Sequence, residues 1–553
     1  MKALLTLLFF TFPLFAGSLQ VHIQHSFGKT PLQLGSLKYQ AAQQLSVTRL
    51  SYLLSGLALQ KNDNTWLELP AQFAWIDLSP RRNTFTLRNI PSGSYRSIRF
   101  HLGVPKKTNH LDPTQFPADH PLNPNLNNLH WNQEGGYIFM SLEGLYRNKD
   151  KELKGYVYHL ANDANLSLIQ LSAPIQLKTT TALALSLDLQ KLLTHPRPLS
   201  FEKDGHSTHS HPGDPIPSAL LANLQSAFTV LGTSYPPHEI PSTITPLYLP
   251  KKHSSFPFKM SQRFPIPTLP LDNPLLNERV ALGESLFHDK SLSKDGTISC
   301  ASCHQSKLAF TDGLPLAKGI DDQLSDKNSM PLFNLAWKSS FFWDGRAKSL
   351  REQVLQPITD HREMAAHLPT VIAHLQKTRA PDFEKAFGPG PVTSEKLALA
   401  LENFLLTLTS YNSKFDLAMS GKSELTDQEK RGMELFFTEY EPRSKRYGAD
   451  CFHCHGGANF SDHQLHDNGL GGKFTTPSLR NLTLTAPYMH DGRFESLEQV
   501  IAHYNGPMTP SETLDPNLAK HPKLGLQLSK KDQNALVAFL KTLTDPKYPK
   551  SAR

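Results

Sequence analysis

The chain is predicted to hold two different domains, an N-terminal antiparallel β-sandwich or barrel and a mainly α-helical C-terminal domain. Three observations predict this division. Apolar residues alternate with period two in the first half, they recur three and four positions apart in the second half, and a proline-rich stretch separates the halves. The length of 553 residues also exceeds the ~250–300 residues at which a single core normally stops growing.

The β-domain is assigned to residues 18–232, where three stretches alternate apolar and polar side chains as half-buried strands do. The apolar positions of these stretches are Ile98, Phe100, Leu102 and Val104, then Ile138, Met140 and Leu142, and then Leu183, Leu185, Leu187 and Leu189.

A linker is predicted over residues 233–269, because its many prolines remove backbone donors and hold the chain extended. From residue 270 to 548 the spacing becomes helical, with apolar residues on one face of each segment. The clearest helical runs are Leu397, Leu401, Phe404, Leu405 and Leu408, and then Leu536, Val537, Leu540 and Leu543.

Residues 1–17 have the pattern of a cleaved secretory signal: a basic start, a short apolar run and a small residue at its end. The run is shorter than the ~20 residues of a membrane anchor, so we expect export to the periplasm without stable membrane insertion. Lys and Arg number 57 against 49 Asp and Glu, without a dense basic run, which favours a solvated surface over nucleic-acid binding.

All four cysteines fall in two copies of the motif Cys-x-x-Cys-His. This spacing lets two thiols form thioethers to a porphyrin edge while the adjacent histidine becomes the proximal ligand of the iron. Zinc is the alternative, but a structural zinc site needs four converging ligands. The motifs therefore predict two covalent c-type haems, held by Cys300, Cys303 and His304 and by Cys451, Cys454 and His455.

The sequences after each motif bear on whether the haems carry electrons or catalyse, since an enzyme leaves one axial position open. They are Asn328-Ser329-Met330-Pro331, Phe342-Trp343-Asp344-Gly345-Arg346, Glu363-Met364, Thr476-Pro477-Ser478-Leu479-Arg480-Asn481, Ala486-Pro487-Tyr488-Met489-His490-Asp491-Gly492 and His503-Tyr504-Asn505. In this order, over residues 270–545, they resemble the bacterial di-haem cytochrome c peroxidase and MauG superfamily. The resemblance implies a peroxide-handling oxidoreductase with two cytochrome c-like lobes.

The resemblance also implies roles for single residues. Trp343 would relay electrons between the haems, and Gln353, Pro357 and Glu363 would line the distal pocket of the first haem. Asn328, Thr485 and Pro487 would match the family's calcium site. Among these, Glu363 has the chemistry to move a proton between the two peroxide oxygens as a general acid and base, with Gln353 as a hydrogen-bond partner.

Two departures refine the resemblance. The peroxidase branch commonly keeps a histidine soon after its first haem motif, whereas residues 305–336 contain none, so a five-coordinate first haem is expected. The distal ligand of the second haem is Met in that branch, whereas the matching position here is Tyr504, as in MauG and the similar enzyme MbnH. Met508 is the alternative ligand.

The N-terminal half contains a histidine-rich segment, Gly205-His206-Ser207-Thr208-His209-Ser210-His211-Pro212, which is either a polar loop or a metal site of the kind that suits copper. With the stretches His130-Trp131 and Gly155-Tyr156-Val157-Tyr158-His159-Leu160, this half resembles the MbnP family of periplasmic copper-binding proteins. In that family a tryptophan becomes kynurenine and joins histidines around copper. The resemblance implies Trp131 as that tryptophan and His209 and His211 as ligands, with His130, His159 and His206 as further candidates.

Three functions are compatible with these features. The first is a fusion of a modifying enzyme with its substrate, in which hydrogen peroxide drives the di-haem domain to a high-valent state that oxidises Trp131 and completes a copper site. The second is a peroxide scavenger that takes electrons from a small periplasmic electron-transfer protein. The third is a copper-binding and delivery protein whose haem half transfers electrons.

Overall fold

The computed structural model describes residues 16–41, 43–79, 82–131, 136–233 and 248–548. They form two compact units, the first containing residues 16–111 and 129–233 and the second containing residues 112–128 and 248–548. Each unit has its own secondary structure, as the change of sequence periodicity predicts.

The first unit is built from strands, because its segments between turn residues are rich in aromatic and aliphatic side chains, several of them at alternating positions. The strands are β1 (Ala16–Phe27), β2 (Thr30–Pro31), β3 (Tyr39–Gln40), β4 (Gln44–Leu45), β5 (Arg49–Lys61), β6 (Trp66–Leu69), β7 (Ala74–Asp77), β8 (Thr84–Pro91), β9 (Gly93–Leu102), β10 (His130–Trp131), β11 (Gly136–Arg147), β12 (Leu153–Ala161), β13 (Ser167–Leu177), β14 (Thr180–Asp188), β15 (Ser207–Thr208) and β16 (Phe228–Gly232). Its helices are α1 (Lys106–Asn109), α3 (Leu189–Thr194) and α4 (Pro215–Ala227), and α2 (Pro124–Asn127) belongs to the second unit.

The strands form two sheets. One has the order β16-β14-β1-β2, with β8 also paired to β1, and the other has the order β13-β9-β5-β11-β12-β15 with short strands attached. Most neighbours are antiparallel, as predicted, but β1 pairs with β14 and β12 pairs with β15 in parallel. The prediction of a β-sandwich or barrel is confirmed as a β-rich unit. The two parallel strand pairs were not part of that prediction.

Burial explains which strands the sequence pattern identified. In β13 buried and exposed residues alternate regularly, whereas β11 is buried on both faces from Gly136 to Tyr146. The predicted apolar positions Ile98, Phe100 and Leu102 all lie in the core of β9. β11 therefore runs through the middle of the unit, and any polar residue in it is buried.

The second unit is mainly helical. Three of its longer helices begin at side chains that cap free backbone N–H groups, namely Thr393, Thr426 and Ser529. Its helices are α5 (Asn277–Phe287), α6 (Cys300–Cys303), α7 (Leu350–Gln353), α8 (Gln356–Thr359), α9 (Leu368–Thr378), α10 (Ala380–Phe387), α11 (Ser394–Leu406), α12 (Lys414–Met419), α13 (Asp427–Phe437), α14 (Leu497–Asn505), α15 (Pro516–Ala519) and α16 (Lys530–Lys541). Short strands are β17 (Tyr440–Glu441), β18 (Arg446–Tyr447), β19 (Leu465–His466) and β20 (Phe474–Thr475).

Two hydrophobic cores divide the second unit into lobes, one around α5 and α11 and the other around α13 and α16. The same contact recurs in both. A Cβ built on Gly283 of α5 would lie 2.0 Å from the carbonyl oxygen of Ala400, and one on Gly432 of α13 would lie 1.9 Å from that of Ala535. Glycine is therefore needed where each pair of helices crosses, and the two lobes repeat one helix-crossing pattern.

Parts of two predicted segments fall outside the described residues. These are residues 1–15 of the predicted signal and residues 234–247 of the predicted linker. From residue 248 onwards the linker packs on the second unit: the Trp337 indole N–H donates to the carbonyl of Pro265 at 2.7 Å, and Phe264 packs against the same ring. In the part of the chain that the structure describes, no helix is long and apolar enough to cross a membrane.

Candidate functional site

The first Cys-x-x-Cys-His motif forms one turn of helix, α6, followed by His304. The His304 backbone N–H donates to the Cys300 carbonyl at 3.0 Å and closes the turn of α6. Its Nδ1 lies 2.9 Å from the carbonyl oxygen of Phe310. A carbonyl only accepts hydrogen bonds, so Nδ1 carries the hydrogen and Nε2 keeps the lone pair for a metal.

Glu363 lies close to this motif, at the end of the loop after α8. Its backbone N–H donates to Asp360 and its carbonyl accepts from Ile320, while the next residue, Met364, donates to the Pro357 carbonyl at 3.1 Å. Burial and the nearby Asp360 charge raise the pKa of Glu363 to about 7. The charge of Glu363 in turn adds to the burial that raises the pKa of Cys300 to about 12.

The predicted distal residues of the first haem are therefore partly brought together. Pro357 of α8 is joined to the loop of Glu363 through the hydrogen bond from Met364, and Gln353 ends the helix α7 that precedes α8. With a pKa near neutrality, Glu363 can both accept and release a proton at physiological pH.

The second motif repeats the first geometry. The His455 N–H donates to the Cys451 carbonyl at 2.9 Å, and its Nδ1 lies 3.1 Å from the carbonyl oxygen of Phe460. Beside it is a cavity of about 240 Å³ lined mostly by apolar side chains. Cys451, Cys454 and His455 all line this cavity, which we call the second-haem cavity.

Both predicted axial ligands of the second haem, Tyr504 and Met508, line the second-haem cavity. Tyr504 lies in α14, and burial raises the pKa of its phenol to about 12. The Asn468 side-chain N–H₂ lies 3.4 Å from the Tyr504 oxygen and donates to it, which favours the phenolate. The backbone carbonyl oxygen of Asn468 lies 2.9 Å from Nε2 of His503, and this contact fixes the position of Asn468.

Trp343 also lines the second-haem cavity, together with the three predicted calcium ligands Asn328, Thr485 and Pro487. The indole N–H of Trp343 donates to the Asn328 carbonyl at 2.9 Å, and the ring is 9% exposed. The Asn328 side-chain N–H₂ donates to the Leu314 carbonyl at 2.8 Å, so its amide oxygen is the atom left for a cation. All four residues therefore border the same cavity.

In the first unit, Trp131 lies beside two histidines. Its ring centre is 5.4 Å from that of His209 and 6.3 Å from that of His159, while the two imidazoles are 4.9 Å apart and perpendicular. His211 follows at 6.3 Å from His209. We call Trp131, His159, His209 and His211 the imidazole cluster.

Strand pairing produces the cluster. β12 and β15 run parallel with Tyr158 opposite Thr208, so the next residues of each, His159 and His209, come side by side. The Ser210 hydroxyl donates to the His159 carbonyl at 2.9 Å and holds the segment in place.

The other two predicted histidines make different contacts. The His130 ring packs edge-on against Tyr137 at 4.7 Å, and the His206 ring lies 6.4 Å from that of Tyr146. Of the six candidate residues, four are brought into one cluster, and the His159 ring lies closer to that of His209 than the ring of the predicted partner His211 does.

Two family models match the chain. The model of the di-haem cytochrome c peroxidase family matches residues 277–424, and the MbnP model matches residues 16–210. The methylamine utilization protein MauG of Methylophilus methylotrophus is 31% identical over 345 residues, which cover 59% of this chain and 93% of that protein. This chain belongs to the MauG and di-haem cytochrome c peroxidase family. It is an oxidoreductase of that family fused to an N-terminal unit that matches MbnP.

Two further proteins are similar to this chain. MauG of Methylorubrum extorquens is 37% identical over 299 residues, covering 50% of this chain and 80% of that protein. Among solved structures, a MauG-like protein associated with microbial copper homeostasis is 29% identical and covers 54% of this chain and 100% of that one, with a TM-score of 0.47.

The residues present fit the two c-type haems that the family carries. Each motif offers two thiols and a histidine whose Nε2 is left for iron, and the second faces a largely apolar cavity. Among the described residues, the close group of metal-binding side chains that contains a cysteine is Cys454 with His466 and Asp515, so the cysteines of the two motifs do not converge on one another.

Sequence reasoning missed two residues of the second-haem cavity, Asn468 and His466. The His466 nitrogens lie 2.5 Å from Asp515 and 2.8 Å from Asp462. Burial alone would lower the pKa of His466, but the neighbouring Cys454, Asp462 and Asp515 raise it well above its usual value. The polar run Ser461-Asp462-His463-Gln464-Leu465-His466-Asp467-Asn468 directly after the motif was the available signal.

Proposed function

We propose that this protein uses hydrogen peroxide to oxidise Trp131 of its own N-terminal unit to kynurenine and thereby completes a copper site. The observation that carries the proposal is the contact of Trp131 with His209 and His159 in a unit that matches MbnP, on the same chain as a MauG-family unit.

Glu363 is the residue that handles the peroxide proton. With a pKa of about 7 its carboxylate accepts a proton from one peroxide oxygen and returns it to the other as the O–O bond breaks. The haems, when bound, supply the iron that reacts with peroxide and the oxidising equivalents that result. Gln353 and Pro357 would border the same space.

Trp343 and Tyr504 act around the second haem. Trp343 is held by its hydrogen bond to Asn328 as the electron relay that the family resemblance assigns. Tyr504, with Asn468 donating to its oxygen, offers an anionic oxygen ligand, whereas Met508 offers a neutral sulfur.

The change at Trp131 is a balanced oxidation. The indole C2–C3 bond breaks and both carbons gain oxygen from two molecules of peroxide, which leave as water. Hydrolysis then removes the formyl group as formate and leaves a ketone and an aromatic amine. The amine nitrogen is a ligand that tryptophan cannot offer, and it would lie beside the His159 and His209 imidazoles, which suit copper.

Calcium is proposed at Asn328, Thr485 and Pro487, which line the second-haem cavity and can supply side-chain and backbone oxygens. We also propose that the protein works in the periplasm after removal of residues 1–17, where peroxide, copper and small electron-transfer proteins reach it.

The test is peptide mass spectrometry of the full-length protein carrying both haems, treated with hydrogen peroxide without an electron donor. We expect kynurenine at residue 131 and copper binding that appears only after treatment. A Trp131→Phe protein should bind copper poorly, whereas His209→Ala with His211→Ala should still be oxidised but lose copper. Peroxide turnover only with an added donor and an intact Trp131 would replace this proposal with the scavenger.

A further inference from the structure

Glu143 is a buried carboxylate in β11, a strand that is buried on both faces. A charged side chain in such a position requires partners, because leaving water is costly for a charge. Its oxygen Oε1 has three of them: the Ser141 hydroxyl at 2.6 Å, Nε2 of His159 at 3.0 Å and the Arg49 guanidinium at 3.2 Å.

The sheet register explains these contacts. Ser141 and Glu143 are two positions apart in β11 and so share one face. Arg49 of β5 is directly opposite Glu143, and His159 of β12 is opposite Ser141, hence diagonal to Glu143. The pairing of three adjacent strands therefore fixes Glu143 against His159.

We infer that Glu143 is a positioning residue for the copper site: it fixes the orientation and tautomer of His159 so that Nδ1 of His159 is the nitrogen that binds copper. This inference rests on the proposed function.

The tautomer follows from the hydrogen bond. The Arg49 guanidinium and the Ser141 hydroxyl both donate to Oε1 of Glu143, an arrangement that suits an ionised carboxylate. A carboxylate only accepts hydrogen bonds, so Nε2 of a neutral His159 carries the hydrogen and Nδ1 carries the lone pair. Histidine ligands of metals are commonly oriented in this way by a carboxylate on the other nitrogen.

The hydrogen bond between Glu143 and His159 also indicates which histidines bind copper. His159 is 3% exposed and its side chain is anchored through Glu143 to a charged network, whereas His211 is only partly buried. An imidazole that is already held in one orientation loses little freedom on binding a metal. His159 and His209, with the modified residue 131, therefore form the expected core of the site.

The test is copper binding to peroxide-treated full-length protein, measured by competition with a chelator and normalised to the fraction that contains kynurenine. Glu143→Gln should weaken binding by ~10- to 100-fold and alter the nitrogen hyperfine pattern of the Cu(II) electron paramagnetic resonance spectrum. Glu143→Asp should restore part of the affinity. The control is Glu68→Gln in the same unit, which loses a surface ion pair with Arg99 and should bind copper normally.

Equal affinity and an identical Cu(II) spectrum in Glu143→Gln would overturn the inference and show that Glu143 serves only the ion pair with Arg49. Absence of copper binding in the unsubstituted, kynurenine-containing protein would overturn the proposed function itself. If circular dichroism shows that Glu143→Gln does not fold, Glu143→Asp takes its place, because the shorter side chain keeps the charge opposite Arg49 but withdraws the carboxylate from Nε2 of His159. A Cu(II) spectrum and affinity equal to those of the unsubstituted protein in that variant would equally overturn the inference.

Discussion

Glu363 is the residue whose ionisation should control the reaction with peroxide. Glu363→Gln should slow that reaction by a factor of ~10²–10⁴, the usual contribution of a positioned acid–base group. Because burial raises the pKa of Glu363 to about 7, the carboxylate that accepts the peroxide proton is lost as the pH falls below 7. Stopped-flow rates should therefore decline below about pH 7 in the unsubstituted protein and stay flat in the variant.

The matched control is Glu384→Gln, which changes an exposed carboxylate on α10. It should keep both the rate and its pH dependence. A Glu363→Gln protein that reacts with peroxide at the original rate would show that the acid–base group is another residue.

Tyr504 and Met508 compete as ligands of the second haem, and both line its cavity. Tyr504→Phe should change the ferric visible spectrum of the second haem, because an oxygen ligand is lost, whereas Met508→Leu should leave it unchanged. The first haem should stay high-spin in both variants. The reverse pattern, with Met508→Leu altering the spectrum, would assign the ligand to the sulfur.

Sequence reasoning identified residues that belong to contiguous motifs but not those that act across the fold. The haem-binding cysteines and histidines follow from spacing alone. The contact of Asn468 with Tyr504 joins residues 36 positions apart, and that of Glu143 with Arg49 joins residues 94 positions apart. Periodicity carries no information on such pairs, since they depend on how loops and strands are arranged in space.

At the scale of elements, the helix crossings at Gly283 and Gly432 define the two lobes. Gly432→Ala should lower the thermal unfolding midpoint, because the new methyl group would meet the carbonyl of Ala535 and push α13 away from α16. Overpacking of this kind typically costs ~1–3 kcal/mol, more than the ~1 kcal/mol that alanine gains over glycine within a helix.

Calorimetry of the haem-loaded protein measures this effect. Lys430→Ala, at an exposed position of the same helix, is the control and should unfold at or above the original temperature. An unchanged midpoint for Gly432→Ala would mean that the helices do not cross as closely as the structure indicates.

The sequence predicted element types better than element pairing. Alternation identified β9 and β14, and helical spacing identified α11 and α16. The parallel pairing of β1 with β14 was not predicted, because it joins Ser18 to Thr180 without a local turn signal. The repeat of the two lobes was also not recognised from the sequence, since few of its positions outside the haem motifs require a particular residue. Gly283 and Gly432 are two positions that do.

At the scale of the whole molecule, joining the two units in one chain changes the kinetic order of the oxidation of Trp131. A separate enzyme and substrate must meet by diffusion, whereas the effective concentration of tethered partners is set by the link between them and not by the protein concentration. Oxidation within one chain should then proceed at a rate that does not depend on protein concentration.

The last prediction is that Trp131 is oxidised within its own chain and ahead of the other four tryptophans. Kynurenine at residue 131 should form with the same first-order rate constant when the protein is diluted ~100-fold, because the tethered encounter does not depend on collisions. Trp75, which is buried and donates to Ser51, and Trp66, which stacks on Arg99, lie in the same unit and serve as internal controls in the same digest. Both should remain intact, because they lie outside the imidazole cluster.

A mixture of Glu363→Gln protein with Trp131→Phe protein provides the second control, since neither chain has both functions, and only slow, concentration-dependent kynurenine formation is expected. Equal oxidation of all three tryptophans would indicate diffusible oxidants, and a rate proportional to protein concentration would indicate reaction between chains.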